Sequence, residues 1–156
     1  MKEKIIESKV TECRLDELDD GAQSLIRTAL EATQNSYAPY SRFRVGAALL
    51  LDDGTVLKGA NQENASFPVT LCGERTAIFA AHAQYPHNII EAIAITAVND
   101  DGLVESPVTP CGACRQAMLE TEMRQNRPLM IYLYGGKGVY VINGIRNLLP
   151  LAFDEL

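Results

Sequence analysis

The sequence has 156 residues, of which 47% are hydrophobic and 22% are charged, so we expect a packed globular chain with a single domain over residues 1–156. A formal net charge of −6 disfavours nucleic acids as partners, because a surface that neutralises many phosphates needs an excess of Lys and Arg. No apolar run approaches the ~20 residues that span a bilayer, and the charged start lacks the core of a signal peptide. We therefore expect a cytoplasmic protein without a membrane partner.

The first half of the chain is predicted to contain an N-terminal arm, a helix and a β-hairpin. Residues 1–16 form an N-terminal arm, predicted as an edge strand or an irregular segment. From Leu18 apolar residues recur at helical spacing until the turn that contains Pro39. Strands are predicted at 43–51 and 55–61, and the short acidic turn with a glycine between them indicates an antiparallel pair.

The second half alternates between helix and strand. The sequence predicts a helix at 71–84, a buried strand at 89–98 and a second helix at 111–125. A second buried strand follows at 129–135, then a short strand at 137–144 and a helical turn at 145–150. The two buried strands are nearly continuous apolar runs, as expected for strands covered on both faces. This order predicts an α/β fold in which helices cover both faces of a mixed central sheet.

Cysteines mark the starts of the two later helices. In a reducing compartment disulfides are rare, so these thiols are expected to be ligands, nucleophiles or core residues. Cys111 and Cys114 lie three positions apart on the first turn of a helix and can share one ion. By itself such a pair also fits a redox motif, a structural zinc site or an iron–sulfur loop.

A third thiol and a carboxylate favour a catalytic zinc site. Cys72 also stands at a helix start, and three thiolates would leave one position of a tetrahedral zinc ion open. Their negative charge needs compensation, which the helix dipoles and pairing of thiolates with Arg75 and Arg115 could supply. Glu74 could shuttle protons beside the metal, a group that structural zinc sites do not need.

These residues match a known signature. The stretches "CGE" and "PCGAC" correspond to the H-x-E…P-C-x-x-C pattern of zinc deaminases, with Cys in the His position. From about Leu18 to Phe153 the chain resembles the homotetrameric cytidine deaminases that act on free nucleosides. The resemblance is carried, in the order of that family, by "YAPYSRFRVGAALL", "GANQENASFP", "CGERTAI", "TPCGACRQ" and "LLPLAF". It implies the cytidine-deaminase-like three-layer sandwich.

The resemblance also implies a reaction of pyrimidine salvage, in which cytidine or 2′-deoxycytidine is hydrolysed to uridine or 2′-deoxyuridine and ammonia. Cys72, Cys111 and Cys114 would bind one Zn²⁺ per chain. Zinc hydroxide would attack C4 of the base while Glu74 acts as the proton shuttle. The partner would be a free pyrimidine nucleoside, and the chain would form a homotetramer.

Six further positions match the substrate-contacting residues of that family. Asn61 and Glu63 correspond to residues that bind the ribose 3′-hydroxyl, and Phe43 to an aromatic residue that packs on the pyrimidine. The backbone at Gly73 and Thr109 would meet the polar edge of the base. Phe67 occupies the position of an aromatic residue that reaches the site of a neighbouring subunit.

Other interpretations stay open at this point. Asn61 and Glu63 could be ordinary turn residues, and Phe43 could be a core residue. Gly73 stands where the family usually has Ala, which leaves the backbone donor but loosens the turn. A related deaminase of another base, either blasticidin-type or tRNA adenosine, is an alternative function. A non-catalytic binding module stabilised by zinc is another.

Overall fold

The computed structural model describes residues 1–155. The strands in this range are β1 (Thr11–Cys13), β2 (Arg44–Leu51), β3 (Val56–Ala60), β4 (Ile90–Asn99), β5 (Gly102–Leu103), β6 (Met130–Gly135) and β7 (Gly138–Asn143). The α-helices are α1 (Asp20–Ala32), α2 (Gly73–Gln84) and α3 (Gly112–Gln125). Short 3-10 turns lie at Leu15–Glu17, Thr33–Asn35, Phe67–Val69 and Ile145–Asn147. Within the same range no helix is both long and apolar enough to cross a bilayer.

The strands form one mixed sheet in the order β1-β7-β6-β4-β2-β3, with β5 paired to the end of β4. β4 and β6 run parallel, and the other pairs are antiparallel. The parallel pair requires a crossover, which α3 provides. The predicted hairpin is confirmed, because β2 and β3 pair with Gly46 opposite Ala60.

Helices cover both faces of the sheet, which confirms the predicted three-layer fold. On one face, α2 and α3 pack on β2, β4 and β6 through a core cluster that includes Ile78, Met118 and Ile95. On the other face, Leu25 and Ile26 of α1 contact a second cluster with Ala48 and Ala94. β4 is therefore buried on both sides, as its continuous apolar run predicts.

Two short strands, β1 and β5, extend the predicted sheet. The N-terminal arm contains both predicted alternatives, since residues 1–10 are irregular and β1 then pairs with β7, Thr11 lying opposite Val141. The segment at 99–110, between the predicted strand at 89–98 and the predicted helix at 111–125, includes the two-residue strand β5, which folds back on β4. Both additions are short antiparallel pairings along existing strands, and short-range patterns do not specify such partners.

A close approach between β3 and α2 positions the start of α2. A Cβ atom at Gly59 would lie 2.5 Å from Gly73 O and 2.6 Å from Ala77 N. These distances are far below van der Waals contact, and the colliding atoms belong to the backbone. Only glycine therefore lets β3 pass this close to the first turn of α2, where the predicted site residues Gly73, Glu74 and Arg75 lie.

Candidate active site

Three thiols meet where α2 and α3 begin. Cys72 is the N-cap residue of α2 and Cys111 that of α3, and neither side chain makes a capping hydrogen bond. Cys114 lies in the first turn of α3 and is fully buried. Within residues 1–155 this is the single group of three or more metal-ligating side chains close enough to share an ion, with all sulfurs within 4.8 Å of one another.

The sulfur spacing fits zinc. Cys72 Sγ lies 3.8 Å from Cys111 Sγ, which in turn lies 3.5 Å from Cys114 Sγ. Ligands at about 2.3 Å in a tetrahedron are about 3.8 Å apart, so the site needs little adjustment to hold the ion. Three cysteines fill three positions and leave the fourth for a reacting molecule. The predicted convergence of two helix N-termini on one metal site is thus confirmed in its geometry.

The charge of the cluster is partly compensated by Arg75. Its Nη2 atom lies 3.8 Å from Cys72 Sγ. A hydrogen bond with Cys114, together with Arg75, lowers the pKa of Cys72 to about 5. The same interaction with Cys72, together with burial, raises the pKa of the Cys114 thiol. Zinc binds cysteines as thiolates, so binding of the ion must release any proton that these thiols carry.

Glu74 is a buried carboxyl group beside the thiols. It is 4% exposed, and Oε2 has no hydrogen-bond partner among residues 1–155. Burial raises the pKa of Glu74 above its usual range, and the charge of Cys72 adds to the rise. A buried carboxyl oxygen without a hydrogen bond costs free energy, unless a ligand or a water molecule donates a hydrogen bond to it. This atom is therefore suited to exchange a proton with a molecule bound in the site.

Arg115 has different partners from those expected. Its Nε donates to Pro110 O at 2.8 Å and its Nη1 to Leu148 O at 2.6 Å. The guanidinium thus joins the loop before α3 to the segment after the Ile145–Asn147 turn, and both of these acceptors are backbone carbonyls. The expectation that Arg115 pairs with a thiolate is corrected accordingly, because the side chain folds back along its own helix turn.

Asn61 holds the backbone around Phe43. Its Nδ2 donates to Phe43 O at 2.8 Å, and its Oδ1 accepts from Val45 N–H at 2.8 Å and from the Ser36 hydroxyl. The side chain is 8% exposed. Asn61 therefore does more than an ordinary turn residue, since it fixes the segment that leads into β2.

Glu63 holds the neighbouring segment in a similar way. Its Oε2 accepts from the N–H groups of Tyr40 at 2.8 Å and Ser41 at 3.3 Å, and its Oε1 accepts from the Ser41 hydroxyl. The bond from Ser41 lowers the pKa of Glu63, which keeps the carboxylate ionised. Asn61 and Glu63 thus anchor one continuous stretch of backbone beside the thiol cluster.

A cavity of about 280 Å³ brings most of the predicted site residues together. The predicted residues on its wall are Phe43, Asn61, Glu63, Cys72, Glu74, Thr109 and Cys111. Ser41, Val45, Thr70, Leu71 and Val108 also line it and were not singled out in the sequence. The motif "YAPYSRF" contained Ser41, but a serine in a turn carries no distinctive signal. Phe43 is half-buried at the cavity wall and lies outside both core clusters.

Gly73 and Phe67 lie next to this cavity. Gly73 is buried, and a Cβ there would lie 3.0 Å from Val45 O, so a larger residue would be crowded against β2. Phe67 is 72% exposed and packs edge-on against Tyr40, with ring centroids 6.1 Å apart. It lines an adjoining cavity that shares Ser41, Glu63 and Thr70 with the first.

Comparison with known proteins agrees with this geometry. Residues 20–127 match the family model for the cytidine and deoxycytidylate deaminase zinc-binding region. A cytidine deaminase of Halalkalibacterium halodurans is 44% identical over 131 residues, which cover 84% of this chain and 92% of the relative. One of Sporosarcina psychrophila is 40% identical over 133 residues, covering 85% and 91% respectively.

Solved structures show the same relationship. The crystal structure of a cytidine deaminase from Burkholderia pseudomallei superposes with a TM-score of 0.72 at 42% identity, covering 83% of this chain and 97% of that one. A cytidine deaminase from Mycobacterium tuberculosis gives a TM-score of 0.68 at 34% identity, covering 88% and 100%. The chain therefore belongs to the cytidine deaminase family.

Proposed function

We propose that this protein is a zinc-dependent enzyme that hydrolyses cytidine and 2′-deoxycytidine to uridine and 2′-deoxyuridine, with release of ammonia. The observation that carries this proposal is the buried Glu74 carboxyl group, whose Oε2 is unpaired beside three thiols at zinc-binding distances. A zinc site that only stabilised the fold would not need a buried carboxyl oxygen without a hydrogen-bond partner. The cytidine deaminases that match most of the chain support the same reaction.

Glu74 performs the proton transfers of this reaction. Cys72, Cys111 and Cys114 would hold a zinc ion, which would supply Lewis acidity and lower the pKa of a bound water molecule. Glu74 Oε2 takes up a proton in the site, delivers it to N3 of the base, and relays a second proton to the departing amino group. The raised pKa of Glu74 suits this role, because the group must both accept and donate near neutral pH.

The other residues of the cavity hold the nucleoside. Asn61 and Glu63 bind the 3′-hydroxyl of the sugar, and Phe43 packs on the pyrimidine. The backbone at Gly73 and Thr109 meets the polar edge of the base. These assignments are supported by the cavity, because Phe43, Asn61, Glu63 and Thr109 all line its wall. The role of Gly73 is supported by its position between Cys72 and Glu74.

The wider context of the enzyme follows from the same family. We assign it to pyrimidine salvage in the cytoplasm, as a single domain over residues 1–156 that acts on free nucleosides. The net charge of −6 supports the absence of a nucleic acid partner. We also propose a homotetramer in which Phe67 reaches the site of a neighbouring subunit, and its 72% exposure supports such a contact.

Turnover of cytidine by zinc-loaded protein tests the reaction. We expect stoichiometric uridine and ammonia from cytidine, and the corresponding products from 2′-deoxycytidine. Absence of both products would overturn the proposed function, and turnover of tRNA adenosine or blasticidin in their place would reassign the substrate. Sedimentation velocity tests the assembly, where a species of four chains is expected and a monomer would contradict the homotetramer.

A further inference from the structure

Ser41 connects two parts of the site without a role of its own in the function proposed above. Its hydroxyl is hydrogen-bonded to Glu63 Oε1, and its Oγ also receives the N–H of Phe43 at 3.1 Å. Ser41 lines the same cavity as Glu63, Glu74 and two of the thiols. Ser41 is thus in contact both with Glu63, a proposed sugar-binding group, and with the backbone of Phe43, the residue proposed to pack on the base.

The direction of these hydrogen bonds is fixed by the chemistry of the partners. A backbone N–H can only donate, so Phe43 places its hydrogen on a lone pair of Ser41 Oγ. An ionised carboxylate can only accept, so the single hydroxyl proton of Ser41 goes to Glu63 Oε1. The bond from Phe43 therefore orients the serine, and the serine in turn orients the carboxylate.

This arrangement leaves Glu63 with one clear place for a ligand. Its Oε2 already accepts two backbone N–H groups, from Tyr40 and Ser41. Its Oε1 accepts only the Ser41 hydroxyl among the hydrogen bonds of the described residues and keeps a free lone pair. A sugar hydroxyl that binds Glu63 would therefore donate to Oε1, next to Ser41.

The backbone around Ser41 is held in an uncommon conformation. Arg42 has φ +56, which lies in the left-handed region that residues other than glycine rarely adopt. Arg42 N donates to Ala38 O at 3.0 Å, which closes the turn, and the exposed guanidinium lies 3.2 Å from Asp100. Such conformations persist where the surroundings determine them, and they are frequent at ligand sites.

We propose that Ser41 is a positioning residue that aims Glu63 Oε1 at the sugar hydroxyl of the bound nucleoside. The proposal rests on the proposed function, since it assigns a specific task within that site. Because Ser41 touches neither the thiols nor Glu74 among the hydrogen bonds of the described residues, its removal should weaken binding of substrate and leave the chemical step intact.

The test is steady-state kinetics of Ser41→Ala with cytidine and with 3′-deoxycytidine. For cytidine we expect KM to rise about tenfold or more, the scale of a lost hydrogen bond to a charged group, and kcat to stay within about twofold. For 3′-deoxycytidine, which lacks the hydroxyl, we expect Ser41→Ala to match wild type within about twofold. A serine that only supported the fold would affect both substrates equally, so a KM effect that requires the 3′-hydroxyl identifies a role in binding that hydroxyl.

Two further variants complete the experiment. Ser41→Thr keeps a hydroxyl and should bring KM for cytidine back to within about threefold of wild type. Ser24→Ala removes an exposed serine on α1, remote from the cavity, and should leave both substrates unaffected. Melting temperatures of all variants show whether a kinetic change reflects loss of fold.

The outcomes separate this inference from the proposed function. If wild type fails to deaminate cytidine, the proposed function fails. If wild type is active and Ser41→Ala has an unchanged KM for cytidine, the role of Ser41 is refuted. An equal loss for both substrates would refute it too, because the serine would then act through the fold rather than through the sugar.

Discussion

Removal of the Asn61 side chain should destabilise the protein as well as weaken nucleoside binding. Asn61→Ala deletes three hydrogen bonds, to Phe43 O, Val45 N–H and the Ser36 hydroxyl. Because Asn61 is 8% exposed, water can replace these bonds only in part. The segment that carries Phe43 into β2 would lose the bonds to Phe43 O and Val45 N–H.

The size of the effect follows from these contacts. At about 1 kcal/mol for each hydrogen bond, the free energy of unfolding should fall by about 3 kcal/mol. For a domain of this length, 1 kcal/mol corresponds to about 2–4 °C, so Tm should fall by about 6–12 °C. Asn61→Asp keeps an acceptor for Val45 but turns a carboxylate oxygen towards Phe43 O, and it should lose at least about 1 kcal/mol.

Thermal unfolding of zinc-loaded wild type and variants, followed by circular dichroism, measures this prediction. Asn64→Ala is the matched control, because Asn64 is an exposed asparagine nearby whose Oδ1 accepts one backbone N–H, that of Ser66 at 2.8 Å. It should cost no more than about 1 kcal/mol. If Asn61→Ala melts within about 2 °C of wild type, the anchoring role derived from its hydrogen bonds is refuted.

Two other substitutions test the metal site and its support. Cys111→Ala should leave less than one zinc per chain and lower Tm, because metal binding is coupled to folding; elemental analysis that finds a full equivalent would remove Cys111 from the ligand set. Gly59→Ala should cost about 1–3 kcal/mol and weaken zinc retention against a chelator, because its Cβ would collide with Gly73 O and Ala77 N; unchanged stability and retention would show that β3 can move away from α2.

The elements of this fold were predictable where a local pattern specifies them. α1 was expected from the apolar period after Leu18, and the structure starts it at Asp20 because Asp19 caps it by accepting from Ala22 N–H at 2.8 Å. The buried strands β4 and β6 matched their continuous apolar runs to within about one residue at each end. These patterns lie within a short stretch of sequence and are strong, so the predicted elements agree with those of the folded chain.

Long-range pairing was not predictable in the same way. The arm strand β1 pairs with β7, Thr11 opposite Val141, and nothing in the polar sequence of the arm specifies that partner. β5 is too short to show any period. Such pairings depend on which edge of the sheet is left free, and that is known only once the sheet has formed.

In the site, too, features specified by local sequence were predictable, and contacts between residues distant in sequence were not. Spacing placed Cys111 and Cys114 on one helix turn and Cys72 at the start of another helix, and the structure brings the three predicted thiols together. Arg115 follows Cys114 directly, yet it bonds to Pro110 O and Leu148 O, because the direction of a long side chain depends on acceptors that are distant in sequence. Ser41 was missed for the reason that its partner Glu63 is 22 positions away.

The central claim is that the metal and the acid have separate tasks in one deaminase site. Zinc content and cytidine turnover, measured on the same preparations of wild type and Glu74→Gln, test it most directly. We expect one zinc per chain in both proteins and a loss of at least ~10²-fold in kcat for the variant, the scale of a general acid–base group. A zinc-loaded Glu74→Gln enzyme that releases ammonia at nearly the wild-type rate would contradict the account.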